Sequence, residues 1–276
     1  MHLHTSLTNS NYKHGGYGRF EVSDSKRREI AVAPVRDRVV HRLIYDYLEP
    51  IWDKAFIYDA WSCRKGKGLH AATDRAVQFM KSYQNCWVWR ADITKFFDSI
   101  DQRLLLQLIQ RRATCQTAIS LLEEVLSSYY KNQEGRGMPI GNLTSQIFAN
   151  IYFHEFDLFM VHKLKPLAYM RYGDDWLCFA KTKSEIEAIR KHAIEFLSKE
   201  LSLSISQKVD RVQPTYRGFT YLGIDHWPTG IRITSPTYSR VFHKLAPENY
   251  SSYEALVRQF SNEHNIKKFY WQSLDV

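Results

Sequence analysis

Residues 167–180, LAYMRYGDDWLCFA, contain two apolar runs separated by the acids of Tyr172-Gly173-Asp174-Asp175. Two adjacent carboxylates are unfavourable inside a core, because each buried charge needs compensation of several kcal/mol. At the tip of a β-hairpin both can point outward, and Gly173 supplies the backbone freedom that a tight turn requires. The stretch therefore predicts a strand–turn–strand unit with Asp174 and Asp175 at its tip. Gly-Asp-Asp is also ordinary turn chemistry, so the motif alone leaves a purely structural role open.

A further acid stands at the end of another predicted strand. Residues 87–92 (WVWRAD) read as a buried strand whose last residue is Asp92. If this strand neighbours the hairpin in one sheet, Asp92 and Asp174 lie together and can hold two magnesium ions about 3.5–4 Å apart. Such a pair activates a 3′-hydroxyl and neutralises a leaving pyrophosphate in an in-line displacement.

The net charge favours a polyanionic partner. The 276 residues include 38 Lys and Arg against 29 Asp and Glu, which gives a formal net charge of +9. This balance favours nucleic acid or an anionic membrane surface, although a basic protein without such a partner remains an alternative. The N-terminus lacks the pattern of a signal peptide, and no apolar run approaches the ~18 residues of a membrane span. The sequence therefore predicts a cytoplasmic protein that does not bind a membrane.

Several other classes of protein are disfavoured. Apolar residues make up 44% of the chain, which is typical of a globular and not a disordered protein. The four cysteines are scattered without a C-x-x-C pair, so a disulfide framework or zinc site is not expected. No G-x-G-x-x-G motif follows a predicted strand, which argues against a dinucleotide-binding fold.

Strand and helix patterns alternate along the chain and predict an α+β fold. Strands are expected at residues 29–33, 87–92 and 203–206, and a final hairpin at 219–223 and 230–233. Helices are expected from Asp37 onward, and at 71–83, 102–130 and 185–201. The last 40 or so residues also read as helical.

The chain resembles the reverse transcriptase family over nearly its whole length, with the family's motifs in family order. These motifs are Lys26-Arg27-Arg28-Glu29-Ile30, Val35-Arg36-Asp37-Arg38-Val39-Val40-His41, Cys63-Arg64-Lys65-Gly66-Lys67-Gly68, Arg90-Ala91-Asp92-Ile93-Thr94-Lys95-Phe96-Phe97, Gly137-Met138-Pro139-Ile140-Gly141-Asn142-Leu143-Thr144-Ser145-Gln146, Tyr172-Gly173-Asp174-Asp175, residues 203–208, and Tyr221-Leu222-Gly223. The resemblance implies a right-hand polymerase fold. Fingers are expected at 1–85 with part of 102–135, a palm with the acids on an antiparallel sheet at 86–230, and a short helical thumb at 231–276.

By this resemblance, Asp92 and Asp174 are the two metal-binding aspartates. Asp175 is the third acid of the site, which supports it or binds metal less directly. The backbone carbonyl of Ile93 would complete one metal shell. Two Mg²⁺ ions are implied, with Mn²⁺ as a substitute. Phe97 stands where the family has a bulky ring under the sugar, which would exclude a 2′-hydroxyl and select dNTPs. Plain core packing is the alternative reading of Phe97.

The resemblance also implies contacts with nucleotides and nucleic acid. The family's nucleotide-binding positions correspond to Arg64, Lys65, Lys67, Phe97, Ile140, Gly141, Gln146 and Lys208, the last being a candidate proton donor to pyrophosphate. Its contacts with template RNA and with the primer or growing cDNA correspond to Lys26, Arg27, Arg28, Arg36, Arg38, Tyr221, Leu222 and Gly223. For the loop that contains Lys65 and Lys67, a solvated charged surface is the alternative.

The segment from Ile140 to Gln146 differs from most relatives of the group II intron type, which have Pro-Gln-Gly where this chain has Pro139-Ile140-Gly141. It resembles instead the enzymes of diversity-generating retroelements, which misincorporate opposite template adenines and work with a small basic accessory protein oligomer. An apolar side chain discriminates shapes by only about 1–3 kcal/mol, so lower fidelity is expected. An antiviral-defence-associated reverse transcriptase and a non-catalytic nucleic-acid-binding scaffold are the alternatives. The three acids argue against the scaffold.

Overall fold

The computed structural model describes residues 2–23, 27–261 and 263–274. The α-helices are α1 (His2–Thr8), α2 (Val35–Trp52), α3 (Leu69–Ser82), α4 (Phe96–Ser99), α5 (Gln102–Gln110), α6 (Gln116–Ser127), α7 (Leu143–Leu158), α8 (Lys183–Glu200), α9 (Ser235–His243), α10 (Tyr250–Phe260) and α11 (Glu263–Ser273). A π-helical turn at Phe159–Leu164 extends α7, and short 3₁₀ turns lie at Thr215–Arg217 and Pro247–Asn249. The strands are β1 (Gly18–Ser23), β2 (Arg27–Val32), β3 (Trp87–Ala91), β4 (Ala168–Tyr172), β5 (Asp175–Ala180), β6 (Arg211–Pro214), β7 (Phe219–Tyr221), β8 (Ile224–Trp227) and β9 (Gly230–Ile233).

The central sheet has the strand order β4-β5-β3-β6, and each pair is antiparallel. Along β3 and β5 successive side chains face opposite sides of the sheet. Trp89 and Trp176 point to one face and pack edge to face, with ring centroids 5.4 Å apart. Val88 and Leu177 point to the other face and belong to a second hydrophobic cluster. The sheet is therefore buried on both sides, which explains the nearly continuous apolar runs of its strands.

Helices α7 and α8 cover the Trp89 face of the sheet. Helix α7 is apolar around most of its circumference and is almost entirely buried, as expected for a helix inside a core. The opposite face of the sheet packs against α3 and β7. In the described part of the chain, no helix has the combination of length and apolarity that crossing a bilayer requires.

The strands β7, β8 and β9 form a separate antiparallel sheet. Ile224 and Ile233 of this sheet share one hydrophobic cluster with Val257, Phe260 and Phe269 of the C-terminal helices. The predicted hairpin at 219–233 is thus a three-stranded sheet. The limit placed after residue 230 between palm and thumb falls within β9, after its first residue, and β9 pairs with β8.

Two predicted elements differ from the structure. The helix expected over 102–130 is divided into α5 and α6, which pack against each other. A straight helix of that length would extend about 40 Å, whereas folding back lets the apolar faces of both helices enter one core. The strand expected at 203–206 makes only one isolated bridge, between Ile205 and Ile93. The fourth strand of the central sheet is β6, which was not predicted.

Candidate active site

Asp92 and Asp174 come together at one end of the central sheet. Asp92 follows the last residue of β3, and Asp174 lies in the turn before β5. Because β3 and β5 are neighbours with Ala91 opposite Trp176, the expectation that these two strands are adjacent in one sheet is confirmed. Both acids border a cleft of about 580 Å³. This Asp92–Asp174 cleft is lined by Arg27, Arg28, Glu29, Asp92, Ile93, Lys95, Phe96, Phe97, Asp98, Tyr129, Lys131, Ile140 and Asp174.

The turn that presents Asp174 depends on a glycine. Gly173 has a φ of +66°, whereas the φ of Asp174 is not positive. A positive φ at only the first of two turn residues is the pattern of a type II′ hairpin turn, which favours glycine there. The Gly173 N–H donates to Ser62 Oγ at 2.9 Å, and its carbonyl accepts from Arg171 Nη1 at 3.1 Å. The turn is therefore held by side chains on both sides of one residue.

The oxygen atoms around Asp92 suit a divalent metal. Oδ1 of Asp92 is buried and has no hydrogen-bond partner within the described residues, which is unfavourable for a carboxylate unless a cation compensates it. The Asp92 carbonyl accepts from Ser206 N at 2.9 Å, and Thr94 N donates to Ser204 O at 2.9 Å. Ile93 lies between Asp92 and Thr94, and backbone groups of successive residues in a strand alternate in direction. The N–H and carbonyl of Ile93 must then point away from 204–206, toward the β5 side of β3.

Carboxylate and carbonyl oxygens are the ligands that Mg²⁺ and Mn²⁺ prefer, so Asp92, Asp174 and the Ile93 carbonyl fit such an ion. Across residues 2–23, 27–261 and 263–274, no three His, Cys, Asp or Glu side chains gather as a complete metal site. Magnesium commonly keeps several waters and takes further oxygens from substrate phosphates. Two protein carboxylates at the mouth of a cleft are compatible with that mode of binding.

Asp175 has a different environment from Asp174. Its carboxylate forms a bidentate ion pair with Arg90, at 2.7 Å from Nη2 and 3.1 Å from Nε. Its backbone carbonyl accepts from the Tyr221 hydroxyl at 3.1 Å. Burial alone would lower the pKa of Arg90, but the Asp175 carboxylate raises it. Asp175 is not among the residues that line the Asp92–Asp174 cleft, and its contacts fit a supporting role at the start of β5.

Phe97 and Ile140 form an apolar part of the cleft lining. Phe97 is half-buried beside Phe96, with ring centroids 5.5 Å apart. Ile140 is also half-buried, and its carbonyl accepts from Ala31 N of β2 at 3.1 Å. Gly141 has a φ of +106°, and a Cβ there would lie 2.7 Å from Ile30 Cγ2. Glycine at 141 therefore lets the Ile140 loop approach β2 closely.

Arg64 forms its hydrogen bonds close to its own loop. Its guanidinium is almost buried and donates to Asp53 Oδ1 at 2.6 Å and to the carbonyls of Asp53, Ile57 and Ala60 at 2.8–3.1 Å. These bonds use four of the five N–H groups of the guanidinium and hold Arg64 to its own loop. A contact between Arg64 and a nucleotide stays a prediction.

The two lysines of the same loop are more exposed. Lys65 pairs with Glu49 at 3.1 Å. Lys67 donates to Tyr58 O and lies 3.5 Å from the centre of the Tyr58 ring. Partial burial and the charge of Arg64 lower the pKa of Lys67. Neither lysine lines the Asp92–Asp174 cleft, and Gln146, exposed in the first turn of α7, does not line it either.

The remaining predicted residues are dispersed. Arg27 and Arg28 of β2 line the cleft, whereas Arg38 is exposed on α2 and Arg36 lies over the Tyr12 ring at 5.1 Å. Lys26 lies outside the described residues. Lys208 lines a separate groove of about 370 Å³ together with Arg90, Arg211, Arg217 and Trp227.

Tyr221-Leu222-Gly223 forms the end of β7 and the turn before β8. Tyr221 is fully buried, and burial raises the pKa of its hydroxyl. Leu222 and Gly223 both have positive φ, the pattern of a type I′ turn. The structure thus brings Tyr221 to the Asp175 backbone, while the turn lies at the edge of the β7–β9 sheet.

The sequence reasoning missed a buried polar cluster beneath the turn. Asp157 of α7 pairs with Arg171 of β4 at 2.8 Å, and their side chains are 0–1% exposed. Asn150 and Ser62 complete the cluster. Its only sequence signal is the occurrence of charged residues inside apolar runs, at Phe156-Asp157-Leu158 and Met170-Arg171-Tyr172.

The sequence is similar to several known proteins. Residues 13–226 match the family described as reverse transcriptase (RNA-dependent DNA polymerase). Protein YkfC of Escherichia coli (strain K12) is 25% identical over an alignment of 242 residues, and the match covers 73% of this chain and 63% of that protein. The group II intron-encoded protein LtrA of Lactococcus lactis subsp. cremoris is 25% identical over 144 residues, 50% of this chain and 24% of that protein. The chain thus spans less than two thirds of either relative.

A solved structure of apo telomerase from Candida tropicalis, truncated from the C-terminal domain, has a similar fold. The TM-score is 0.57 at 10% sequence identity, and the similarity covers 83% of this chain and 59% of that chain. At this identity the likeness concerns the fold alone. It confirms the predicted α+β right-hand polymerase architecture.

Proposed function

We propose, because the chain belongs to the reverse transcriptase family, that it is an RNA-directed DNA polymerase that copies an RNA template into cDNA. The observation that carries this proposal is the juxtaposition of Asp92 and Asp174, with a buried Asp92 oxygen that lacks a hydrogen-bond partner in the described part of the chain. The similarity to an intron-encoded protein supports an RNA-linked role. The substrates would be dNTPs and a template RNA with a primer.

The roles of the residues in this reaction follow from their chemistry. Asp92, Asp174 and the Ile93 carbonyl would hold Mg²⁺ or Mn²⁺, with Asp175 supporting the site through Arg90. When bound, such ions stabilise charge on the triphosphate and lower the pKa of the attacking 3′-hydroxyl. Arg27 and Arg28 would contact phosphates of the nucleotide or template, which gives salt-sensitive binding. The Phe97 ring would exclude a 2′-hydroxyl by overlap.

Primer extension by the purified protein tests the proposal. The assay uses a defined RNA template and DNA primer with Mg²⁺, and supplies either dNTPs or NTPs. We expect extension with dNTPs and much less with NTPs. Asp174→Asn should reduce the rate of extension on the order of 10³-fold but leave template–primer binding intact, because the substitution removes only a metal-binding charge. Extension by Asp174→Asn at a rate near that of the wild type, or a wild-type protein that binds the duplex but never extends it, would contradict the proposal.

We further propose that the enzyme is error-prone at template adenines and belongs to a diversity-generating retroelement, where a small basic protein oligomer assists it. The position of Ile140 on the cleft lining supports this subtype. An isoleucine side chain offers no hydrogen bond to the incoming nucleotide, so mispairs would be opposed mainly by shape.

The variant Ile140→Gln tests this subtype. We expect it to lower misincorporation opposite adenine by about tenfold, because one polar contact of about 1.4 kcal/mol corresponds to that factor. Sequencing of the cDNA from both proteins measures the error spectrum, and Val39→Gln, on the exposed surface of α2, is the control. Accurate copying by the wild type would instead favour an antiviral-defence-associated enzyme or another retroelement.

A further inference from the structure

We infer that Ser62, Asn150 and Arg171 are positioning residues that orient the Asp174 carboxylate by fixing the Gly173 backbone from both sides. This inference rests on the proposed function for its catalytic consequence. None of the three lines the Asp92–Asp174 cleft, so they would act on the metal site only through the turn. We call these three residues, together with Gly173, the tip ring.

The tip ring is a closed circuit of hydrogen bonds. Gly173 N donates to Ser62 Oγ at 2.9 Å, and Arg171 Nη1 donates to Gly173 O at 3.1 Å. The same Arg171 nitrogen donates to Asn150 Oδ1 at 2.9 Å, and Asn150 Nδ2 donates to Ser62 O at 3.0 Å. Each member is thus held by two others, so no member can rotate without breaking a bond to its neighbours.

The ring is fixed to the core by a buried ion pair. Arg171 Nε donates to both oxygens of Asp157 at 2.8 and 2.9 Å, and Tyr169 donates its hydroxyl to Asp157 at 2.8 Å. Nη2 of Arg171 has no hydrogen-bond partner within the described residues, but the guanidinium lies over the Phe153 ring at 5.2 Å. A buried charge held in this way keeps one orientation, because any other would leave it uncompensated.

The backbone near Ser62 is hydrogen-bonded to β4, the strand that contains Arg171. Arg171 N donates to Asp59 O, and Trp61 N donates to Arg171 O, both at 3.0 Å. Residues around Ala60 therefore run alongside β4 as a parallel bridge. The Ala60 carbonyl in turn accepts from Arg64 at 3.1 Å. The loop that contains Lys65 and Lys67 is thus joined to the catalytic turn by a short, hydrogen-bonded segment.

The turn needs such restraint because of its glycine. Glycine has the greatest backbone freedom of all residue types. The nearest atom to a Cβ built at Gly173 is Ser62 Oγ, at 4.0 Å. Packing around the missing side chain therefore does not hold the turn. The two hydrogen bonds to Gly173 restrict that freedom, and with it the direction of the next side chain, Asp174. Catalytic groups must be held within about 0.5 Å of their productive position.

The variant Ser62→Ala tests this inference, since it removes the bond to Gly173 N and leaves the buried ion pair in place. Mn²⁺ is titrated into the purified protein, and the free ion is followed by its electron paramagnetic resonance signal. We expect the dissociation constant for Mn²⁺ to rise about three- to tenfold, the effect of losing one hydrogen bond. In primer extension, kcat should fall at least as much, while KM for dNTP and the template–primer Kd stay within twofold.

The matched control is Ser128→Ala. The Ser128 hydroxyl also forms two hydrogen bonds, with the Tyr17 hydroxyl at 2.9 Å and with Val125 O at 2.7 Å. Neither partner belongs to the tip ring. Ser128→Ala should leave the Mn²⁺ affinity and kcat unchanged. The inference is overturned if Ser62→Ala binds Mn²⁺ like the wild type, or if both variants weaken binding equally. A wild type that binds Mn²⁺ but makes no DNA would reject the proposed function, while the Mn²⁺ titration would still decide the role of the tip ring.

Discussion

The hairpin tip around Asp174 and the β1–β2 ribbon border the same cleft, but they are held in contrasting ways. The tip rests on the tip ring and on the Arg171–Asp157 pair, all buried or nearly so. In the ribbon, every residue of β1 is exposed. The ion pairs between its two strands, Arg27 with Glu21 and Arg19 with Glu29, lie at the surface, where such pairs contribute only about 0–1 kcal/mol.

The two regions would have different functions in the proposed reaction, one in holding metal and the other in contacting phosphates. The proposed in-line displacement requires the carboxylates that would hold metal to keep their position, and the buried hydrogen bonds around the tip restrain one of them, Asp174. Contacts with phosphates depend on charge more than on exact geometry, so exposed arginines are sufficient for them. The ribbon is joined to the rest of the molecule by Glu29, which pairs with Lys131 at 2.9 Å, and at its root, where Asn142 accepts from Ala33 N at 3.2 Å and donates to Ala31 O at 2.6 Å.

The largest effect is expected from the two neighbouring acids of the tip. Asp174→Asn should reduce single-turnover extension by on the order of 10³-fold, because charge stabilisation worth several kcal/mol depends on the bound metal. Asp175→Asn should cost about tenfold or less, since Asp175 pairs with Arg90 outside the cleft lining. Rapid-quench assays on both variants measure the difference. Equal losses would show that Asp175 also binds metal.

The second effect concerns the scaffold of the tip. Asp157→Asn leaves the charge of Arg171 without its partner, and we expect the free energy of unfolding to fall by about 3–5 kcal/mol. Urea denaturation followed by tryptophan fluorescence measures it. Replacing both residues, as in Asp157→Leu with Arg171→Met, should restore part of the stability, because no unpaired charge remains. A loss below 1 kcal/mol in Asp157→Asn would contradict the rigid character of this region.

The third effect concerns buried His41 of α2, whose Nδ1 shares a hydrogen bond with Thr144 Oγ1 at 2.6 Å and whose Nε2 lies 3.0 Å from His14 Nε2. Burial, then the neighbouring His14, lowers the pKa of His41 to about 4, while Asp37 opposes the shift. The folded-state pKa lies below the usual 6.5, so the unfolded state binds more protons between these values. The stability from neutral His41 is therefore complete above pH 6.5 and is lost as the pH falls toward 4.

Between pH 7 and pH 5 we expect this histidine alone to reduce the free energy of unfolding by about 2 kcal/mol. Buried His226, whose pKa burial also lowers to about 4, should add a loss of the same sign. Denaturation at both pH values, in the wild type and in His41→Gln, isolates the first contribution. If the variant keeps the full pH dependence, His41 does not titrate with folding.

The sequence predicted those parts of the fold that depend on local patterns. The hairpin at 167–180 and the strand before Asp92 were recognisable because apolar runs ended in acids, and their adjacency followed from the need to place those acids together. Residues 203–206 have the same alternation, but only Ile205 forms a bridge, since the edge of the sheet is taken by β6. Periodicity cannot decide which of two segments pairs with a given strand.

Local sequence patterns could not predict the direction of a side chain or the pairing of residues that are far apart in the sequence. The loop that contains Arg64 is rich in glycine and basic residues, as expected of a loop that binds triphosphate. The Arg64 guanidinium nevertheless turns inward and donates to backbone carbonyls. The partners of Arg171 lie in α7 and before α3, and no spacing rule connects these segments. The juxtaposition of Asp92 and Asp174 was thus predictable from sequence, whereas the residues that hold the turn were visible only once the chain was folded.

The smallest effect on stability, and the sharpest test of the ribbon, comes from Arg27→Ala. Arg27 is 77% exposed and pairs only with Glu21 among the described residues, so the free energy of unfolding should change by less than about 0.5 kcal/mol. If Arg27 contacts a phosphate, the slope of log K against log salt for template–primer binding should fall by about 1. Arg42→Ala is a matched control, because Arg42 is 66% exposed and pairs with Asp46 on α2. The same slope change in both variants would mean that the ribbon attracts nucleic acid only through net charge, and a change confined to Arg27 would place a phosphate at the cleft.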